Sequence, residues 1–182
     1  PEVKEAGLGI VPTSSTCEQL AIGDCLAVAA LNKKGFNKKK FRTLHPKGSL
    51  GAQLKTAEDL MITKNGIPFI NENSDMRNAL SIITKKKLGV LIAINKKKLT
   101  TGIITDGQIR RASQKNNNLK KLLVKNIMTK NPISIDKDTL ASKSLSIMSD
   151  KKITSLCVHK NKNKNKTIGL LHIHNILRAN IQ

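Results

Sequence analysis

One histidine stands in a setting that could support acid–base chemistry. Imidazole titrates near neutral pH, so His45 can take up or release a proton under physiological conditions. The residues after it, 46–51, read Pro-Lys-Gly-Ser-Leu-Gly, and a proline beside two glycines predicts a rigid turn with flexible points that would aim the imidazole. A lone histidine is also a common structural residue, so the residue types alone leave both interpretations open.

A second group of candidates is the hydroxyl cluster Ser14, Ser15 and Thr16. Ser15 and Glu18 have the spacing of a capping box, which predicts that a helix begins here. The free amides at such a helix end favour an anion such as a phosphate, whereas in the other interpretation the hydroxyls only cap the helix. Residues 17–31 carry apolar side chains on all faces, which predicts a helix buried nearly all round by a core upstream.

The rest of the chain contains an internal duplication. The stretch 102–111 returns as 169–178, and Met61 and Met128 stand the same 67 positions apart. Repetition at a fixed period predicts two copies of one structural unit, and a unit this small buries little apolar surface alone. Each copy reads strand, helix, strand, strand, helix, so we expect two copies packed around a pseudo-twofold axis.

Polar residues follow the last strand of each copy, where a helix is predicted to begin. His172 and Asn175 of the second copy stand where the first has Thr105 and Gln108. His174 lies two positions after His172, so the two rings are expected on opposite sides of the strand and no metal site is predicted. The candidate residues of the two turns are Thr105, Asp106, Gln108, Arg111, His172 and Asn175.

Composition excludes several classes of protein. The formal net charge is +21, but nearly all the 33 basic residues are lysine and aromatic residues are scarce, which argues against a specific nucleic-acid reader. The 182 residues contain no apolar run near the roughly 20 residues that span a bilayer. Three cysteines without a Cys-x-x-Cys pair indicate reduced thiols in a cytoplasmic protein, and no cofactor is expected.

The repeats resemble a tandem pair of CBS domains, on the strength of the Gly-Ile-Ile-Thr-Asp turn at 102–106 and its second copy. The segment before them resembles the end of a sugar-isomerase (SIS) domain, on the Pro-Thr-Ser-Ser-Thr motif at 12–16 and the His-Pro-Lys-Gly-Ser-Leu-Gly motif at 45–51. The implied fold is α/β, a remnant of a flavodoxin-like SIS domain followed by two β-α-β-β-α repeats. The predicted boundaries are 1–54, 55–117 and 118–182.

An SIS domain followed by two CBS domains is the architecture of the D-arabinose-5-phosphate isomerases. The resemblance implies an aldose–ketose isomerase that supplies Kdo and lipopolysaccharide synthesis, works as a homotetramer and uses His45 in catalysis, with Ser14, Ser15 and Thr16 near the substrate. The CBS pair would be a regulatory or assembly module, and its turns would take a nucleotide or nucleotide-sugar effector. Since most of the SIS domain is missing, the chain alone is expected to be inactive.

Two alternatives remain at this stage. One is a non-enzymatic SIS–CBS protein that senses phosphosugars or nucleotides, and the other is a CBS regulator whose first 50 residues only dock it. In the CBS family, an Asp three residues after the turn Thr often accepts the ribose hydroxyls of an adenine nucleotide. Gln108 and Asn175 replace that carboxylate by an amide, so the resemblance does not carry adenosine binding over.

Overall fold

The computed structural model describes residues 4–37, 40–41, 44, 49–116, 118–160, 163 and 165–181. The chain divides into two compact units, Pro1–Pro46 and Lys47–Gln182. His45 and the residues immediately after it lie outside the described residues. The domain boundaries predicted after residues 54 and 117 stay predictions.

The first unit contains a short helical turn α1 (Ala6–Gly9) and the helix α2 (Ser14–Lys33). Gly35 follows with a left-handed φ of 59°, the conformation that commonly ends a helix. α2 has no buried residue, although its sequence predicts burial on all sides. Its large exposed apolar side chains are Leu20, Ile22, Leu26, Val28 and Leu31. No helix of the described part of the chain is long and apolar enough to cross a membrane.

The second unit contains both repeats, and its two opening helices are α3 (Ser49–Gln53) and α4 (Ala57–Leu60). The first repeat continues with β1 (Ile62–Thr63), a 3-10 turn (Lys64–Gly66), β2 (Phe69–Asn71), α5 (Met76–Lys86), β3 (Val90–Ile94), β4 (Thr100–Thr105) and α6 (Asp106–Lys115). The second comprises a 3-10 turn (Leu119–Lys121), α7 (Val124–Ile127), β5 (Thr129–Lys130), β6 (Ser134–Asp136), α8 (Ala141–Asp150), β7 (Ser155–His159), β8 (Thr167–His172) and α9 (Ile173–Arg178).

Local sequence explains where the helix α5 begins and ends. The carboxylate of Asp75 accepts a hydrogen bond from the amide of Asn78 at 2.9 Å, which satisfies a free amide in the first turn. Lys87 ends the helix with a left-handed φ of 55°. Asp75 therefore caps the start of α5.

The strands form two four-stranded sheets, in the orders β2-β3-β4-β5 and β1-β8-β7-β6. In one sheet β2 and β3 are parallel and β3 and β4 are antiparallel. In the other sheet β6 and β7 are parallel and β7 and β8 are antiparallel. The outermost strand β5 of the first sheet comes from the second repeat, and β1 of the other sheet comes from the first. Each repeat thus completes the sheet of the other, so the two copies are interlocked.

The packing of the core indicates a pseudo-twofold axis between the repeats. Two apolar clusters each lie mainly in one repeat and include a residue of the other, Val124 in the first and Ala57 in the second. A third cluster lies between the repeats and includes Ile92 and Cys157, which occupy equivalent positions of the two copies. The hydroxyls of Thr100 and Thr167, 67 positions apart, lie 2.7 Å from each other. Two equivalent residues can meet in this way only near a twofold axis, so the predicted arrangement of the repeats is confirmed.

Candidate functional site

The turn from β4 into α6, here called the first-repeat turn, is closed by its own side chains. The backbone amide and the hydroxyl of Thr105 both donate to Oε1 of Gln108, at 2.6 and 3.1 Å. The amide nitrogen Nε2 of Gln108 donates to the hydroxyl of Thr129 in β5. Both ends of the Gln108 amide are therefore occupied within the protein. Sequence reasoning placed Thr105 and Gln108 here but missed Thr129, which reaches the turn from the other repeat.

The remaining candidates of the first-repeat turn surround the same place. The Asp106 carboxylate fills the space beside Gly89, where a Cβ atom would lie 2.7 Å from the carboxylate oxygen. Gly89 has a positive φ of 63°, so both its backbone and its surroundings favour glycine. A Cβ built on Gly107 would lie 3.7 Å from a guanidinium nitrogen of Arg111 and 3.8 Å from the Thr105 hydroxyl. Arg111 is exposed and approaches the turn from the solvent side.

The equivalent turn from β8 into α9, the second-repeat turn, is built differently. Nδ1 of His172 accepts a hydrogen bond from the backbone amide of His174 at 3.2 Å and caps α9. The two imidazole rings lie 5.0 Å apart between centroids. The prediction that they point to opposite sides is wrong, because the strand ends at His172 and the helical backbone that follows breaks the alternation.

Burial affects the charge state of His172. Desolvation lowers the pKa of its imidazole, and the nearby His174 lowers it further. His172 is therefore largely neutral at pH 7. Within the described part of the chain, no group of three or more His, Cys, Asp or Glu residues could hold a metal ion.

A buried serine lies beside this turn and was not predicted. Ser155 begins β7 directly opposite His172 in the antiparallel ladder, and it is 6% exposed. Its hydroxyl has no hydrogen-bond partner among the described residues. Alignment of the two copies could have identified this serine, since Ser155 stands where the first repeat has the apolar Val90.

The start of α2 is capped by a residue that the sequence did not indicate. Oε2 of Glu5 accepts hydrogen bonds from the amides of Thr13 and Ser14 at 2.5 and 2.9 Å, and Oε1 accepts one from the amide of Ser15 at 2.7 Å. Hydrogen bonds from Ser15 and Thr13 lower the pKa of Glu5 to about 2. The predicted capping box with Glu18 is wrong, because a carboxylate ten residues upstream of Ser15 takes the amides.

This cap predicts a pH-dependent helix end. The folded-state pKa of Glu5, about 2, is below its ordinary value of 4.5. The ionised cap therefore stabilises the fold above pH 4.5, and this contribution is lost as the pH falls from about 4.5 to about 2. Glu5→Gln is expected to accelerate hydrogen exchange of the Ser14 and Ser15 amides at neutral pH. Glu18→Gln is the matched control; equal acceleration in both variants would contradict the Glu5 cap.

The three hydroxyl candidates of the first unit are thus placed at the start of α2. The backbone amides of Ser14 and Ser15 bind the Glu5 carboxylate, and the hydroxyl of Ser14 donates to the carbonyl of Lys4 at 2.9 Å. An anion at this helix end is therefore supplied by the chain itself. Contact of Ser14, Ser15 or Thr16 with a substrate stays a prediction, and so does the catalytic role of His45.

Comparison with known proteins identifies the family of the two repeats. The family model of the CBS domain matches residues 57–115 and 124–181, which are the two copies seen in the sequence. The CBS-domain containing protein ATU1752 from Agrobacterium tumefaciens has a similar structure, with a TM-score of 0.64 and 16% identity over 74% of this chain and 100% of that one. CBSX2 in complex with AMP has a TM-score of 0.59 and 22% identity over 69% and 95% of the two chains.

The relatives extend the match beyond the repeats. Arabinose 5-phosphate isomerase KdsD from Salmonella typhimurium is 37% identical over 175 residues, which are 96% of this chain and 52% of that protein. The KdsD of Escherichia coli K12 is 35% identical over the same shares. An uncharacterized protein from Rickettsia prowazekii, RP505, is 33% identical over 100% of this chain and 55% of its own. The chain spans about half the length of the curated relatives it matches.

Proposed function

Because the chain belongs to the CBS-domain family, with relatives named arabinose 5-phosphate isomerase over 96% of its length, we propose that it is the C-terminal half of such an isomerase. The observation that carries this proposal is the extent of the match. Residues 57–181 are too few to supply 175 aligned positions, so the similarity includes the segment before the repeats. A free-standing CBS regulator would share only the repeats with these relatives.

The proposed reaction interconverts D-arabinose 5-phosphate and D-ribulose 5-phosphate in the cytoplasm and supplies Kdo for lipopolysaccharide synthesis. Such an aldose–ketose isomerisation moves a proton between adjacent carbons through an enediol, and it needs a base that works near neutral pH. His45 is the proposed residue for this role in the segment before the repeats. The exposed apolar side chains of α2 support a further catalytic half, because a helix of this composition is stable only when neighbours cover it.

The complete protein, which carries the proposed upstream SIS half, tests this function directly. We expect it to form the ketose from D-arabinose 5-phosphate, whereas the 182-residue chain alone should show no turnover. The two forms should also differ in assembly, since the proposed enzyme is a homotetramer. Absence of turnover in the complete protein would refute the isomerase and favour a protein that only senses phosphosugars or nucleotides.

We further propose that the CBS pair is a regulatory or assembly module with a nucleotide or nucleotide-sugar effector. Two similar structures bear on this role, since one was determined with AMP and another, the CBS domain pair of protein MJ0100, with 5′-methylthioadenosine and S-adenosyl-L-methionine. A ligand of the folded state should raise the melting temperature of the complete protein, by mass action. AMP, ATP and CMP-Kdo are the compounds to compare. No shift with any of them at millimolar concentration would contradict a nucleotide effector.

A further inference from the structure

The two repeats meet at a pair of equivalent backbone contacts. In one of them, the amide of Glu58 in α4 donates to the carbonyl of Lys137, the residue that follows β6, at 2.9 Å. In the other, the amide of Lys125 in α7 donates to the carbonyl of Glu72, the residue that follows β2, also at 2.9 Å. Since α4 and β2 belong to the first repeat and α7 and β6 to the second, both contacts cross from one repeat to the other.

The charges at these four positions are sorted by repeat. Both positions of the first repeat, 58 and 72, carry glutamate, and both positions of the second, 125 and 137, carry lysine. The chain has 33 basic residues against 12 acidic ones, so chance alone would more often place a lysine at either position of the first repeat. Each contact therefore joins a glutamate of one repeat to a lysine of the other.

The side chains strengthen this arrangement. Nζ of Lys137 donates to Oε2 of Glu58 at 2.7 Å, and the Lys137 side chain is only 20% exposed. At the other contact, Nζ of Lys125 donates to Oδ1 of Asn73, the residue directly after Glu72, at 3.0 Å. Opposite charges thus form an ion pair at the first contact and lie on neighbouring residues at the second.

Pairing of two like repeats would bring like charges together. Because the contacts follow the pseudo-twofold symmetry, a first repeat in the place of the second would set a glutamate at position 58 against a glutamate at position 72. Two second repeats would set lysine against lysine in the same way, and like charges at close contact repel. Asp138, 3.4 Å from Lys137, belongs to the same repeat as that lysine and accompanies it in either pairing.

Other contacts between the repeats use the same residue types on both sides and cannot distinguish the repeats. A methionine of each repeat packs on a glycine of the other, and the hydroxyl of Thr100 meets that of Thr167. Two like repeats would form these contacts equally well. Specificity is a difference between alternatives, so it must come from positions at which the repeats differ.

We infer that the two charged contacts select the partner of each repeat. The first repeat pairs with a second repeat, of its own chain or of another copy, and disfavours another first repeat; the second repeat likewise disfavours its own kind. This selection is independent of the reaction proposed for the complete protein.

Two double variants of the complete protein test the inference. Glu58→Lys/Lys125→Glu, the inverted variant, sets like charges at both contacts and so recreates within one chain the contacts of two like repeats. Glu58→Lys/Lys137→Glu, the matched variant, has the same net charge but keeps opposite charges at both contacts. The amides of Ala57 and Val124 donate to carbonyls of the opposite repeat, so their hydrogen exchange reports on the pairing.

In the inverted variant these two amides are expected to exchange about tenfold faster than in the parent, and the second unit should melt about 4 °C lower, because two attractions become two repulsions. The matched variant should keep the exchange rates and the melting temperature of the parent. Raising the salt concentration from about 0.05 M to about 1 M should remove at least half of the loss in the inverted variant, since salt screens exposed charges. Equal behaviour of the two variants, or a loss that salt does not reduce, would overturn the inference.

Discussion

Replacing Gly169 by alanine is expected to lower the free energy of unfolding of the second unit by about 1–3 kcal/mol, the usual cost of overpacking a core. Gly169 lies in β8, and Met61 packs directly against it. An added Cβ would meet Sδ of Met61 and would lie 2.8 Å from its Cγ and 3.1 Å from its Cβ. These distances are below van der Waals contact, so the methionine or the strand must move. Urea denaturation of the parent and the variant measures the difference.

The identity of the contacting atoms makes this prediction sharper. The three atoms nearest to the added Cβ all belong to the side chain of Met61. Shortening that side chain in the double variant Gly169→Ala/Met61→Ala should therefore recover part of the loss, as a favourable coupling in a double-mutant cycle. If the two substitutions simply add, the clash with Met61 is not the cause.

The equivalent glycine of the first repeat provides the contrast. A Cβ on Gly102 would lie 2.7 Å from Cγ of Met128 but also 2.9 Å from the backbone carbonyl oxygen of Thr129. A backbone atom cannot be removed by substitution. Gly102→Ala should therefore destabilise the unit by a similar amount, whereas Met128→Ala should relieve it less than Met61→Ala relieves Gly169→Ala.

The same pairs show why the sequence predicted the fold of the repeats so well. Gly102 with Gly169 and Met61 with Met128 are two equivalent pairs, and both stand 67 positions apart. The repeated spacing reflects a repeated contact, since the methionine that opens each repeat packs on the glycine of the other repeat's sheet. Internal comparison could therefore reveal the pseudo-twofold pair without any structure.

Three other contacts were harder to predict from the sequence. The bond between Gln108 and Thr129 depends on β5 of the second repeat joining the sheet of the first, and the spacing of residues does not specify this exchange. The ring contact of His172 and His174 depends on the residue at which β8 ends, which patterns of alternation locate poorly. The Glu5 cap depends on how the chain folds back before α2. The first contact depends on the exchange of strands between the repeats, and the other two depend on local backbone geometry that the pattern of residues does not specify.

The polar residues of the two turns differ although the packing of the pair is symmetric. The exchange of β1 and β5, the glycine–methionine contacts and the Thr100–Thr167 pair all follow the pseudo-twofold symmetry. The polar residues of the turns depart from it, since Gln108 donates to Thr129 whereas His172 caps α9. Symmetric packing holds the two repeats together whatever the turns contain, so the residues of one turn can diverge while the fold is kept.

Replacing His45 by alanine in the complete protein is expected to lower kcat for D-arabinose 5-phosphate by at least about 100-fold, the lower end of what a positioned acid–base group contributes. The Michaelis constant should change less, because the proposed role is proton transfer and not binding. The limb of the pH–rate profile that reports a titrating imidazole should disappear in the variant. Steady-state assays of ketose formation between pH 5 and 9 measure these effects.

Rescue distinguishes a proton-transfer role of His45 from a structural one. Added imidazole should restore part of the turnover of His45→Ala, because a small base can occupy the space that the side chain leaves. Lys98→Ala, on an exposed hairpin of the first repeat, is the control and should keep the parent rate. Turnover of His45→Ala close to that of the parent would remove His45 from the mechanism. A loss that imidazole does not rescue, with a parallel fall in melting temperature, would indicate that His45 only supports the fold, and the base would then have to come from another residue.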